Sequence, residues 1–298
     1  MPNSPQFSPA RSFDMSYRRT FLSKTLAGVA ALALTALPVL AEDAKPLRSA
    51  IDSTFAPHAM PKIEGGLEGF NIDVVQEISK RIGQPIEVEG AQFAGLIPAL
   101  QAGTYDFLTA VVTITPERAE QLLFMEGFVD ADYAFVTLKD AAPITSLDDL
   151  KGKKIAVQKG SIYEKFLNDK AAEMGWEVTS FATSTDGIQA VIAGRADASI
   201  SANTVVAWAV KNNPRLTNAY VYETGMVWSM PFRHDSVALR DKMEGALECM
   251  KHDGTLTKIY EHWFGVPPKA GSSTVTIFPG YGAPGTPGYD ATPHELKC

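Results

Sequence analysis

Thr113-Ile-Thr-Pro-Glu-Arg118 follows the apolar run Phe107 to Val112, so the chain reads here as a strand turning into a helix. Thr115 is a helix N-cap type, Pro116 fits the first helical position and Glu117 suits the positive end of the dipole. Arg118 then stands within one turn of a hydroxyl and of free backbone N–H groups. A planar guanidinium beside a hydroxyl matches a carboxylate bidentately. The plainer reading is a surface Arg in an ordinary helix start. The six residues alone leave both open.

Upstream, Leu47 to Ile51 reads as a first strand, followed by a Pro-containing loop from Phe55 to Pro61. Gly69-Phe-Asn-Ile-Asp73 opens a helix with Ile72, Val75, Ile78 and Ile82 on one face, stopped by Gly83 and Pro85. Ile86 to Val88 is a short strand and Leu96 to Gln101 a short helix. Downstream the pattern restarts: strand Lys154 to Gln158, helix from Gly160-Ser161 towards Met174, strand Val178 to Phe181, helix Asp186 to Ala193, strand Ala198 to Ser201, helix Thr204 to Lys211. Strands alternating with helices at this pace indicate parallel α/β units. Two helices follow, Asp235 to Lys251 and Gly254 to Phe264. Residues 267–298 hold six Pro and five Gly, a composition for turns and extended loop rather than helix or core.

The N-terminus has a different character from the rest of the chain. Arg18-Arg19 opens a basic segment, an apolar run from Leu26 to Leu40 follows, and Val39-Leu-Ala41 offers a cut before Glu42. Residues 1–41 therefore read as a secretory signal, too short to span a bilayer, with a twin-arginine-like start. The full chain carries a formal net charge of −7, and removing this basic leader leaves it more acidic. That balance argues against nucleic acid and anionic membrane surfaces as partners. The length supports one or two domains with a full core.

With both halves laid out, the chain resembles the periplasmic solute-binding proteins of ATP-driven (ABC) importers, in the class for polar amino acids and opines. The residues carrying this are Gly69-Phe-Asn-Ile-Asp73, Gly95-Leu-Ile-Pro-Ala-Leu100, Thr113-Ile-Thr-Pro-Glu-Arg118, Asp149-Leu-Lys-Gly-Lys153, Gly194-Arg-Ala-Asp197 and Asp253-Gly-Thr-Leu-Thr-Lys-Ile-Tyr-Glu-His-Trp-Phe264. The resemblance implies an α/β, two-lobe, class II binding-protein fold, each lobe a mostly parallel sheet flanked by helices, joined by two crossover strands. Lobe 1 would comprise residues 44–130 and 229–266, lobe 2 residues 131–228, and residues 267–298 a Gly/Pro-rich tail. It also implies a periplasmic monomer that closes on a small carboxylate ligand and docks on a membrane permease, with no cofactor.

Carried over position by position, the resemblance places Arg118 and Thr113 on the ligand carboxylate. Phe55 and Phe93 become aromatic walls, Asp52 an acid for a basic side chain, and Val111 a lining residue. Ser161 and Ile162 open a helix whose N–H groups add to the carboxylate site. One departure stands out. Relatives that bind α-amino acids place an Asp five residues after the Asp of the Gly-Arg-x-Asp motif, and here that position is Ala202. An ammonium buried without an opposed carboxylate is costly. Either the ligand lacks a free α-ammonium, or Asn203, Ser201 or Asp52 substitutes.

Cys249 and Cys298 read as a disulfide stapling the tail to the long helix, worth roughly 3–4 kcal/mol by loop-closure entropy. The five histidines show no metal-ligand spacing. His58, beside Phe55, reads equally as a ligand contact or a solvated loop residue. The rival function is a cyclohexadienyl or arogenate dehydratase-like enzyme on the same scaffold. That chemistry needs an acid or base in the cleft, for which Glu126 and Asp130 are the nearest candidates, though both read equally as lobe-surface charges.

Overall fold

The computed structural model describes residues 45–298, and the export leader read at 1–41 lies outside them. No helix among the described residues is long and apolar enough to cross a membrane. The strand Leu47–Ile51 forms as expected and pairs in parallel with Ile86–Gly90. Between them runs the helix Phe70–Ile82, which buries Phe70, Val74, Val75 and Ile78 on one face. It starts at Gly69, where φ is 142° and an added Cβ would lie 2.3 Å from the His58 carbonyl oxygen, so only glycine fits. It ends at Gly83 in the left-handed conformation, with the Gln84 N–H returning to the Ser79 carbonyl.

The apolar run Phe107 to Val112 is buried, as expected, but is not one continuous strand. Ladder pairing covers only Val112–Thr113. The Leu108 N–H goes to the Pro231 carbonyl and the Ala110 N–H to that of Ala50, while the Thr109 N–H is taken by the Ser49 hydroxyl. A side-chain acceptor thus interrupts the ladder, and the run serves as a buried connector between neighbours.

The second lobe is built on a five-stranded sheet in the order Glu177–Phe181, Lys154–Gln158, Ala198–Ala202, Tyr133–Leu138, Leu216–Tyr222. Tyr133–Leu138 runs antiparallel to both its neighbours, and the pairings among the first three strands are parallel. Helices Ile162–Met174, Ser184–Ile192 and Asn203–Asn212 follow the three parallel strands. The lobes are joined where Val227–Ser229 pairs antiparallel with Val129–Asp130 on one side and Val112–Thr113 on the other. Helices Val237–His252 and Thr255–Phe264 then pack back on Phe70–Ile82.

The tail forms no helix and only an isolated bridge between Tyr281 and Asp290, yet it is no loose appendage. Cys298 is disulfide-bonded to Cys249, with Cα atoms 5.5 Å apart. The tail also covers a buried charge cluster, which corrects the reading of Glu126 as a surface charge. Glu126 is fully buried, its Oε1 2.7 Å from Lys251 Nζ. The Phe278 N–H donates to Glu126 Oε2 at 2.8 Å, and the Gly282 N–H to the buried Glu244 at 2.7 Å. His294 lies 2.7 Å from Glu248, and Lys251 donates to the carbonyls of Gly127 and Thr276. Backbone N–H groups freed by the absence of secondary structure thus satisfy carboxylates that burial would otherwise penalise. Burial pushes the Glu244 carboxyl up to about 8, with the neighbouring Glu126 and Glu248 adding to the rise.

Candidate functional site

Between the lobes lies a small cavity, lined from one side by Asp52, Phe55, His58, Phe93, Val111, Thr113, Arg118 and Trp228. Gln158, Ser161, Ile162 and Tyr163 line the other side. Every binding residue expected from the sequence lines this cavity except Asn203 and Ser201.

Arg118 reaches the cavity from a single helical turn, Pro116–Ala119. Thr115 caps that turn as read, its hydroxyl accepting the Arg118 N–H at 3.3 Å, with Pro116 at the first position. One guanidinium N–H donates to the Thr113 carbonyl at 3.2 Å, which aims the fork. Among the described residues no carboxylate stands within ion-pair distance of it. Burial lowers the Arg118 pKa, but a guanidinium stays protonated in proteins. The Thr113 hydroxyl accepts the Trp228 indole N–H at 2.9 Å, so its own proton is free to point at a ligand oxygen.

The opposite wall is the start of the helix Ile162–Met174. Ser161 caps it, but that use consumes the side chain. Its oxygen accepts the Glu164 N–H at 3.2 Å and its proton goes to the Gln158 carbonyl at 2.7 Å. What this wall offers an anion is therefore backbone: the N–H groups of Ile162 and Tyr163 occupy the first helical positions, which have no intrahelical acceptor. Tyr163 is buried, and burial raises its phenol well above the usual range, so it stays neutral.

Asp52 is buried in the cavity wall. Its Oδ1 accepts from the Thr54 N–H at 2.9 Å and the Thr54 hydroxyl at 2.6 Å, and its Oδ2 accepts from the Gln158 amide of the opposite lobe. A carboxylate offers about four lone-pair directions, so Asp52 retains capacity for one further donor. Two more hydrogen bonds join the lobes. Thr185 Oγ1 donates to the Thr54 carbonyl at 2.9 Å, and His58 Nε2 meets Thr204 Oγ1 at 2.7 Å.

The remaining candidates fall elsewhere. Asn203 lines a separate depression with Ala202, Asp130, Asp132 and Tyr260, and its Oδ1 accepts from Asn218 at 3.0 Å. Ser201 is buried with its hydroxyl on that of Ser184 at 2.9 Å. Of the three groups weighed against Ala202, Asp52 is the one that lines the cavity. Asp130 is exposed and caps Ser273 of the tail, and Glu126 sits in the buried cluster, so neither acid proposed for a dehydratase lines the cavity. Gln158 and Tyr163 are lining residues that the sequence reading lacks. Their signal is position, at a strand's C-terminal end and in the first turn of the following helix, the places from which open α/β sheets address ligands.

A family model described as bacterial extracellular solute-binding proteins, family 3, matches residues 47–266. The chain is 31% identical over 229 residues to the putative ABC transporter arginine-binding protein 2 of Escherichia coli (strain K12), covering 74% of this chain and 91% of that one. An ancestral arginine-binding protein bound to arginine superposes with a TM-score of 0.71 at 38% identity, covering 74% of this chain and 98% of that chain. An ancestral amino acid-binding protein, described as a precursor of cyclohexadienyl dehydratase, superposes with a TM-score of 0.68 at 30% identity, covering 74% of this chain and 95% of that chain.

Proposed function

The chain belongs to the bacterial extracellular solute-binding proteins of family 3, and from that premise we propose that it captures a small carboxylate, an amino acid or amino-acid derivative, for an ATP-driven importer. It acts in the periplasm as a monomer, exported by the leader cleaved after Ala41, and presents its closed form to a membrane permease. Lobe 1 (44–130 and 229–266) and lobe 2 (131–228) close on the ligand as rigid bodies, and the antiparallel pairing of Val129–Asp130 with Val227–Ser229 supports hinging there.

One observation carries this reading: Arg118 holds its guanidinium in an enclosed cavity with no acidic partner among the described residues. The ligand carboxylate supplies that partner, taken bidentately by Arg118, by the Thr113 hydroxyl, and by the Ile162 and Tyr163 N–H groups. Asp52 is the one acid that lines the cavity among the described residues. A ligand with a single cationic centre therefore fits best, because a second one would find no carboxylate. The relatives that bind arginine support the amino-acid class, and the cavity's charge count narrows it.

A thermal-shift screen tests this directly. Zwitterions with one cation, such as L-glutamine and glycine betaine, are expected to raise the melting temperature of the wild type and not of Arg118→Met. Stabilisation by L-arginine alone would overturn the single-cation reading, and hits that persist in Arg118→Met would overturn the carboxylate site.

A further inference from the structure

His58 sits in the first lobe, wholly buried, and its ring spans from that lobe's core to the second lobe. Its tautomer is fixed by its neighbours. The Asn71 amide donates to the Thr109 carbonyl at 2.8 Å, which turns its Oδ1 towards His58 Nδ1, 3.0 Å away. Nδ1 therefore carries the proton, and Nε2 accepts the Thr204 hydroxyl of the second-lobe helix Asn203–Asn212 at 2.7 Å. Four rings pack around it: Phe55 at 5.4 Å, Trp228 at 5.2 Å, Phe264 at 5.5 Å and Phe70 at 5.8 Å between centroids.

We propose that His58 is a proton-sensitive latch: its neutral ring bonds the two lobes together, and protonation at mildly acidic pH opens the cleft and releases the solute. The inference deepens the solute-capture reading and, for its binding consequences, rests on it.

Proton binding at His58 and closure of the lobes are thermodynamically linked. With the lobes together, His58 is fully buried, and no carboxylate among the described residues pairs with it to stabilise an imidazolium. The helix Phe70–Ile82 presents Asn71 and Phe70 to it, the last helix presents Phe264, the strand Val227–Ser229 presents Trp228, and the second lobe presents Thr204. The charged groups sharing its cavity are Arg118, which opposes a second positive charge, and Asp52, which is bonded to Thr54 and Gln158. Burial accordingly lowers its pKa from 6.5 to about 4, against a smaller opposing contribution from Asn71. Separating the lobes removes Thr204 and lets water in, which returns the ring towards its ordinary value. The closed form is the one with the depressed pKa. Its advantage is complete above about pH 6.5 and is lost as pH falls from there towards 4.

A full return of the ring to 6.5 on opening sets the upper limit of the effect, a loss of affinity of roughly tenfold between pH 7.5 and 5.5 with about one proton released per solute bound at pH 5.5. Two measurements on the full mature chain test this. Calorimetry with L-glutamine in buffers of different ionisation enthalpy is expected to show proton release and a loss of affinity of up to about tenfold in the wild type, and neither in His58→Gln. Small-angle scattering of the solute-free protein is expected to show expansion from pH 7.5 to 5.5 in the wild type and a constant radius in His58→Gln. The scattering arm needs no ligand, so failure of L-glutamine to bind would count against the solute reading alone. A wild-type radius unchanged with pH, or the same proton release in His58→Gln, would overturn the latch. If His58→Gln does not fold, the His58 imidazole resonance decides: a mid-point near 6.5 in the L-glutamine-saturated wild type contradicts the proposal, and one well below 5.5 supports it.

Discussion

A guanidinium enclosed by protein costs free energy unless an anion meets it, and Arg118 meets none from the chain's own described residues. Its placement is local chemistry. Thr115 and Pro116 start a single turn, and the Thr113 carbonyl holds one guanidinium N–H. Removing the charge by Arg118→Met is expected to weaken solute binding by about 3–4 kcal/mol, or 10²–10³-fold, in calorimetry. Trp228 acts one bond further out, donating its indole N–H to the Thr113 hydroxyl, which leaves the hydroxyl proton available to a ligand. Trp228→Phe keeps a ring and removes the donor. We expect a loss of about 1 kcal/mol, roughly fivefold in Kd, because a hydroxyl freed to rotate is a poorer donor. An unchanged affinity would show that the indole only packs.

At the scale of elements, the cavity is made from the ends of strands and the starts of helices. The strand Lys154–Gln158 delivers Gln158, and the helix Ile162–Met174 begins with its N–H groups facing the site. Ser161 holds that junction by capping the helix and bonding back to Gln158. Ser161→Ala is expected to cost about 1 kcal/mol of stability in urea unfolding, with a smaller effect on binding. This alternation was legible in the sequence because Gly, Pro and Ser punctuate apolar runs of helical or strand length. Tyr133–Leu138 and Leu216–Tyr222 were not, since they pair outside the strand–helix alternation, at the side of the sheet where the chain enters and leaves. The cavity lining was legible where a motif fixed the position, as for Arg118 and Thr113. Asn203 failed because sequence adjacency to Ala202 says nothing about direction. Its backbone bonds Asp132 and its side chain turns to Asn218. Glu126 failed for a related reason: its partner Lys251 and its cover, the tail, are distant in sequence and meet only in the fold.

At the scale of the whole molecule, the tail closes the first lobe over charges that would otherwise face water or each other. Cutting its staple with Cys298→Ser is expected to lower stability by about 3–4 kcal/mol, read as a reduced urea midpoint, since the bond closes a span of 49 residues. Gly282 is part of the same seal. An added Cβ there would lie 2.1 Å from Arg240 Nη1, at a φ of +92°. Glu244 gives the seal a pH signature. Its carboxyl is raised from 4.5 to about 8 in the folded chain, so the native state holds the proton more tightly than the unfolded chain does. Its contribution to stability is complete below about 4.5 and declines as pH rises towards 8. Glu244→Gln is expected to flatten that decline in melting temperatures taken between pH 5 and 8.

The central claim is that a solute carboxylate completes Arg118. The most direct test is a two-by-two calorimetric cycle. It pairs the tightest solute from the thermal-shift screen and its carboxamide with the wild type and Arg118→Met. A coupling of at least about 2 kcal/mol is expected, with the carboxamide binding both proteins comparably weakly. Equal losses from wild type and variant on amidation, hence no coupling, would place the carboxylate elsewhere and contradict it.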